Sequence, residues 1–218
     1  MTVTDNVHLQ DQLELFKIDD TQRESLRAAK ADIDKAIPHA LEVLFQNLRQ
    51  WPRTRSMFGS EQSMTSAREK QTRHWQKITQ AKFDQDYAAQ VIKIGKIHKT
   101  IGLDPPTYMA GYATVIIEVA QSLVDTSIKH ALVRDSTRQT LKTHLEAFLR
   151  AAMLDMGLSI ATYTAAINNE KVRLINEMAD RFQNEIGGVV DQVTGAAGQL
   201  QSTADPLRQR ASDTNERL

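Results

Sequence analysis

No cysteine occurs anywhere in the 218 residues. That absence rules out disulfides, thiolate metal ligation and cysteine nucleophiles, and it suits a reducing cytoplasm. An excess of one charge is missing too: Lys and Arg total 27, Asp and Glu total 27. No net field therefore points to nucleic acid or to an anionic membrane. Long apolar runs are absent; none approaches the ~18–20 residues that a membrane span needs. Met1–His8 has no basic region followed by an apolar core, so no signal peptide is expected and the predicted location is the cytoplasm. Glycine and proline are scarce, at 9 and 5, and alternating β-branched runs are lacking, which argues for an all-α fold. A Gly-rich phosphate loop, a His-Glu-x-x-His motif and a motif-supported Ser/His/Asp constellation are all missing, so enzymatic activity is not expected.

What is present reads as a series of helices. Thr21-Gln-Arg-Glu24 has the capping-box pattern and predicts a helix start near residue 21. Pro38 predicts the start of another helix, where proline is tolerated. Leu41, Leu44, Phe45 and Leu48 then share one face until Trp51-Pro52 ends the run. A helix over roughly 62–80 carries Gln71, His74, Trp75 and Ile78. Asp84 starts the next, on which Val91, Ile94, Gly95 and His98 form one stripe. Asp104-Pro105-Pro106 forces a break. A long amphipathic helix follows with Tyr108, Tyr112, Val115, Ile116, Val119 and Leu123. After a polar turn near Arg134-Asp135, another carries Leu141, Leu145, Phe148, Leu149, Ala152, Met153, Met156 and Ile160.

Beyond Ala165 the character changes. Val172, Ile175, Met178, Phe182, Ile186, Val189, Val193, Ala196 and Leu200 step by three or four residues. Two consecutive steps of four around Phe182 resemble a stutter in a heptad pattern. Such a stripe cannot bury itself, so residues 166–218 are expected to form a dimeric coiled-coil linker. The alternative is one helix packed back on the preceding domain.

His98 is the residue that most needs explaining. An unpaired imidazole on a buried face costs about 1–3 kcal/mol. It is therefore either satisfied by a core neighbour or is a metal ligand. The segment His98-x-x-Ile101-Gly102-Leu103-x-Pro105-x-x-Tyr108-x-x-x-Tyr112 closely resembles the sensor globins, the haem domains of globin-coupled sensors. Phe83-Asp84-x-x-Tyr87, Ile94-Gly95 and Gln71-x-x-His74-Trp75 fit the same pattern, and the resemblance covers about residues 15–165. Residues 173–205 resemble the helix preceding a bacterial chemoreceptor signalling domain. Together they resemble the sensor half of a soluble, haem-based aerotaxis transducer.

The resemblance implies a globin-like sensor domain over 15–165 that binds haem b, with His98 as the proximal iron ligand. It implies that Tyr108 lies near the second nitrogen of His98, and that Gly95 allows close approach to the porphyrin. Phe45 stands where the family commonly has a distal tyrosine, and Ala67 stands where it has a bulkier leucine. A compensating donor would come from Thr65, Lys70, Gln71 or His74, of which Lys70 and His74 are expected to face solvent or a propionate. Leu41, Leu44, Leu48, Ile94 and Ile101 line the pocket or simply pack the core. His8, His39, His130 and His144 are expected at surfaces or interfaces.

The expected function is sensing of a diatomic gas such as oxygen, with ligand binding trans to His98 shifting the helices of a homodimer. The helices over about 106–128 and 136–165 would form that interface, and downstream chemotaxis signalling proteins would receive the signal. The signalling domain would lie beyond Leu218. Two alternatives are a kinase or cyclase output on the same sensor, and a haem-free helical interaction module. Gas storage or dioxygenase chemistry is disfavoured, since neither requires a coiled coil.

Overall fold

Seven α-helices account for almost all of the computed structural model, which describes residues 9–129 and 135–215; no strand occurs among the described residues. In chain order they are α1 Leu9–Leu15, α2 Asp20–Gln50, α3 Pro52–Arg55, α4 Glu61–Ile78, α5 Gln85–Thr100, α6 Pro105–Lys129 and α7 Asp135–Asn215. The turn expected near Arg134 lies outside the described residues. The chain divides into two compact units, Met1–Ile167 and Asn168–Leu218.

The helix start expected near residue 21 falls at Asp20, but its cap and the start expected at Pro38 are corrected. Asp19, not Thr21, caps α2, its carboxylate accepting the Gln22 N–H at 2.9 Å. Aspartate is the stronger cap, and it comes first along the chain. Pro38 starts no helix but lies inside α2, on its exposed side. An interior proline costs roughly 3 kcal/mol through one lost backbone bond. Burial of Ile33, Ala36, Ile37, Ala40 and Leu41 on a continuous face offsets that loss and carries the helix through.

The helices that frame the candidate site are capped tightly. In α4, Ser60 and Ser63 exchange reciprocal side-chain-to-backbone bonds of 3.1 and 3.2 Å, a capping box with serine in the place of glutamate. Asp84 caps α5 by accepting the Tyr87 N–H at 2.9 Å. At the other end of α5, Gly102 has φ +73°, the left-handed conformation that glycine adopts freely. Its N–H donates to Lys99 O at 3.1 Å, and the Leu103 N–H donates to His98 O at 3.0 Å. This is a Schellman motif, and the carbonyl it closes on belongs to His98. Asp104 then caps α6, accepting from Thr107 N at 2.8 Å, while Pro105 takes the first helical position.

In the first unit, α6 packs against α2 and buries Tyr108, Tyr112, Val115, Ile116, Val119 and Leu123. The stretch of α7 from Ala147 to Leu158 contributes Phe148, Ala151, Ala152 and Leu154 to the same core. In the second unit the apolar stripe expected from the sequence is fully displayed. Val172, Ile175, Met178, Phe182, Ile186, Val189, Val193 and Leu200 are 46–73% exposed.

Candidate functional site

A cavity of about 560 Å³ opens between α2, α4, α5 and α6, within the range of small-molecule and cofactor sites. Its walls are mainly apolar. Leu44, Phe45 and Leu48 come from α2, Ala67, Gln71 and Trp75 from α4, Ile94, Ile97 and His98 from α5, and Tyr108, Gly111 and Val115 from α6. Lys70 and Lys93 belong to the lining and are exposed, so they mark its solvent side.

His98 sits in the last turn of α5 with its backbone locked by the turn at Gly102. Its ring makes no hydrogen bond among the described residues, and Nδ1 is buried without a partner. Burial, and after it the charge of nearby His74, pushes its pKa down from 6.5 to about 4. The imidazole is therefore neutral near pH 7, the form that binds metals. No cluster of three or more His, Cys, Asp or Glu exists among the described residues. A bare metal ion would thus find at most the imidazoles of His98 and His74. A metal already held by a planar, largely apolar macrocycle needs only one such ligand.

Tyr108 meets His98 differently from expectation. The two rings pack at 4.7 Å between centroids, tilted by 52°, but the Tyr108 hydroxyl turns away and donates to the Tyr112 hydroxyl at 3.2 Å. The reason lies one step further on, where the Tyr112 hydroxyl donates to Asp155. A buried carboxylate is the stronger acceptor, and it orients the chain of hydroxyls toward itself.

Asp155 is fully buried. Besides Tyr112 it accepts from His74 Nε2 and from the Tyr87 hydroxyl, each at 2.8 Å. Burial pushes its carboxyl up, but the charge of His74 and the hydrogen bonds from His74, Tyr112 and Tyr87 outweigh burial and hold it below the usual carboxylate range. Burial and the neighbouring Asp155 charge raise Tyr87 and Tyr112 well above 10, so both phenols stay protonated donors. Sequence reasoning missed this residue. Its signal was available: Asp155 is a lone acid in the apolar run Ala151-Ala152-Met153-Leu154-Asp155-Met156, and an unpaired charge on a buried stripe is costly.

The other expected residues sort as follows. Phe45 is 3% exposed and packs on Phe58 at 6.1 Å, so this wall offers no hydroxyl. Ala67, Gln71, Ile94 and Ile101 all line the cavity. Leu41 does not; it is core. Thr65 is exposed and bonds Glu61 O at 3.0 Å. His74, expected to face solvent or a propionate, is 2% exposed and bound to Asp155. His39 is exposed, His144 half-buried, and His8 and His130 lie outside the described residues.

Gly95 is a correction. It does not line the cavity but faces α7, where a Cβ would stand 2.8 Å from Ser159 O and 2.9 Å from Thr162 Cβ. Glycine is required here by the closeness of two helices, not by a porphyrin. Gly95→Ala gains about 1 kcal/mol of helix propensity but overpacks a site that resists by about 1–3 kcal/mol. A lower urea midpoint is expected; a higher one would show that the two helices part easily.

Residues 5–169 match the protein family described as Protoglobin. The heme-based aerotactic transducer HemAT of Halobacterium salinarum is 21% identical over 215 residues, covering 98% of this chain and 42% of that protein. The chain thus spans less than half the length of that relative. The globin domain of a Geobacter sulfurreducens globin-coupled sensor superposes with a TM-score of 0.62 at 14% identity, over 71% of this chain and 96% of that one. The fold is therefore globin-like.

Proposed function

The chain belongs to the protoglobin family, and from that premise we propose that it is a haem-based sensor of a diatomic gas whose iron ligand is His98. The observation that carries the reading is a neutral, unpartnered imidazole beside an apolar cavity of about 560 Å³. The relative from Halobacterium, named as a heme-based aerotactic transducer, supports it and suggests a chemotaxis output.

His98 would hold the iron from α5, and the turn at Gly102 keeps its backbone from yielding. Leu44, Phe45, Leu48 and Ala67 give the cavity an apolar lining that would disfavour water beside bound gas, and the exposed Lys70 and Lys93 would be available to pair with carboxylates of the cofactor. Bound haem supplies an iron centre for a diatomic gas. The chain senses and does not catalyse. Any displacement of His98 is felt first by the Tyr108 ring and so by α6.

Transmission requires a second copy. The stripe from Val172 to Leu200 is exposed along its length, and heptad-like stripes of this kind close by pairing. Met109 and Ile117 of α6 and Leu149 of α7 are also exposed, at 47, 52 and 39%, and they give the first unit apolar positions of its own for pairing. The protein works as a cytoplasmic homodimer.

Titrating the purified chain with haem tests the reading. A Soret band that saturates at one haem per chain, and that shifts with carbon monoxide, nitric oxide or oxygen, is the expected result. No uptake would overturn it. Phe45→Tyr probes the distal wall: a new hydroxyl donating to bound oxygen contributes about 1.4 kcal/mol, which slows oxygen release about tenfold. Stopped-flow release rates check this, and an unchanged rate would place the gas elsewhere in the cavity.

A further inference from the structure

The residues facing the cavity do not account for the buried polar groups behind it. Asp155 of α7 accepts hydrogen bonds from His74 of α4, Tyr87 of α5 and Tyr112 of α6. Tyr108 adds a further link, its hydroxyl donating to Tyr112 while its ring lies against His98. Four helices thus converge on one carboxylate. Both histidines of the cavity are joined to it, His74 directly and His98 through the Tyr108 ring.

We propose that Asp155 is a positioning residue of the gas site, orienting Tyr112 and, through it, the Tyr108 ring against His98, so that the iron-holding side chain is tied to α7. The inference rests on the sensor reading above. It follows from the direction of the donors. A carboxylate can only accept, so Tyr112 must give its proton to Asp155. Its oxygen is then left to accept from Tyr108, and the Tyr108 oxygen in turn has no proton to offer His98. One charge therefore fixes the polarity of each hydroxyl back to the cavity wall.

A core needing only stability would not use this arrangement. Apolar residues of similar volume are often as stabilising as a buried ionic cluster, or more so. The cluster also spans the elements that a sensor must couple: α4, α5 and α6, which all line the cavity, and α7.

The experiment uses the full 218-residue chain and the variants D155N, Y112F and Y108F. In the haem-free chain, the Tyr87 and Tyr112 hydroxyl protons should give slowly exchanging low-field proton resonances, assigned by Y87F and Y112F. D155N, which turns one of the two acceptor oxygens into an NH2 donor, should lose at least one of them and shift the other. In the haem-loaded ferrous chain, the iron–histidine vibrational band should shift in the same direction in D155N, Y112F and Y108F. The double variant D155N/Y112F should shift it no further than the larger single change, because one path is cut twice. D34N, which disturbs the separate Asp34–Thr79 bond, should leave the band in place.

A band unmoved in folded Y112F and Y108F overturns the proposal, as do shifts that add in the double variant. If D155N does not fold, Y112F and Y108F carry the same test. If the chain takes up no haem, the sensor reading fails by itself. The hydroxyl resonances then decide the wiring, and their persistence unchanged in folded D155N overturns it.

Discussion

His98→Ala is expected to weaken haem binding by more than about 100-fold. The other histidine lining the cavity, His74, is anchored by its Nε2 bond to Asp155 at 2.8 Å, so only its Nδ1 lacks a partner and its ring cannot swing into the place of His98 without breaking that bond. No group of three or more metal-capable side chains lies elsewhere among the described residues. The apolar walls then retain only the dispersion and hydrophobic part of the affinity. Loss of partners beyond the ligand shell of a metal typically costs 10–100-fold, so removal of the one ligand should exceed about 100-fold. The Soret band of the variant should match that of unbound haem, with far-UV circular dichroism unchanged. Added imidazole should restore part of it by filling the space the ring left. A full-strength Soret band in His98→Ala would mean that another residue holds the iron, and the sensor reading would fall.

Asp155→Ala is expected to be the most destabilising single substitution in the first unit. It removes one acceptor and leaves His74, Tyr87 and Tyr112 without a partner in a buried space. Breaking a buried charge cluster from one side costs about 3–5 kcal/mol. The whole fold is worth only about 5–15 kcal/mol, and an ordinary substitution costs about 1. Chemical denaturation at pH 7 measures the loss.

The pH dependence gives a second handle on the same residue. The folded-state pKa of Asp155 lies below its ordinary value of 3.8. The carboxylate thus contributes stability that is present above pH 3.8 and lost as the pH falls through the folded-state value. Wild type should show this acid limb, and Asp155→Asn should flatten it while being less stable at pH 7. Parallel acid limbs in the two proteins would assign the acid sensitivity to other carboxylates.

The corner around His98 was readable from the sequence because its contacts are local. Asp84, His98, Gly102, Asp104 and Pro105 act on neighbours a few residues away, so spacing and residue type carry the information. The rest depended on distance. Asp155 reaches His74 across 81 positions, Tyr87 across 68 and Tyr112 across 43, and no periodicity in one helix reports such a meeting. His74 was misplaced for that reason, since its own helix alone does not reveal an acid waiting on α7. Gly95 was assigned to the wrong neighbour: its stripe is correct, but what presses on it is Ser159 and Thr162. Pro38 was read by a rule that holds at helix ends, and a long buried face overrode it.

The turn that closes on the His98 carbonyl has a consequence for the order in which the protein is made. The backbone from His98 to Tyr108 is shaped by bonds spanning no more than five residues: Gly102 to Lys99, Leu103 to His98, Thr107 and Tyr108 to Asp104. Loops of about ten residues close in roughly 10–100 ns. The contacts to α7 must wait for a far larger loop, and loop closure grows costlier with length. The ligand-bearing corner can therefore take shape on a nascent chain before Asp155 has been docked. A cofactor arriving at that stage meets a histidine whose backbone is already set, and little ordering entropy remains to oppose its capture.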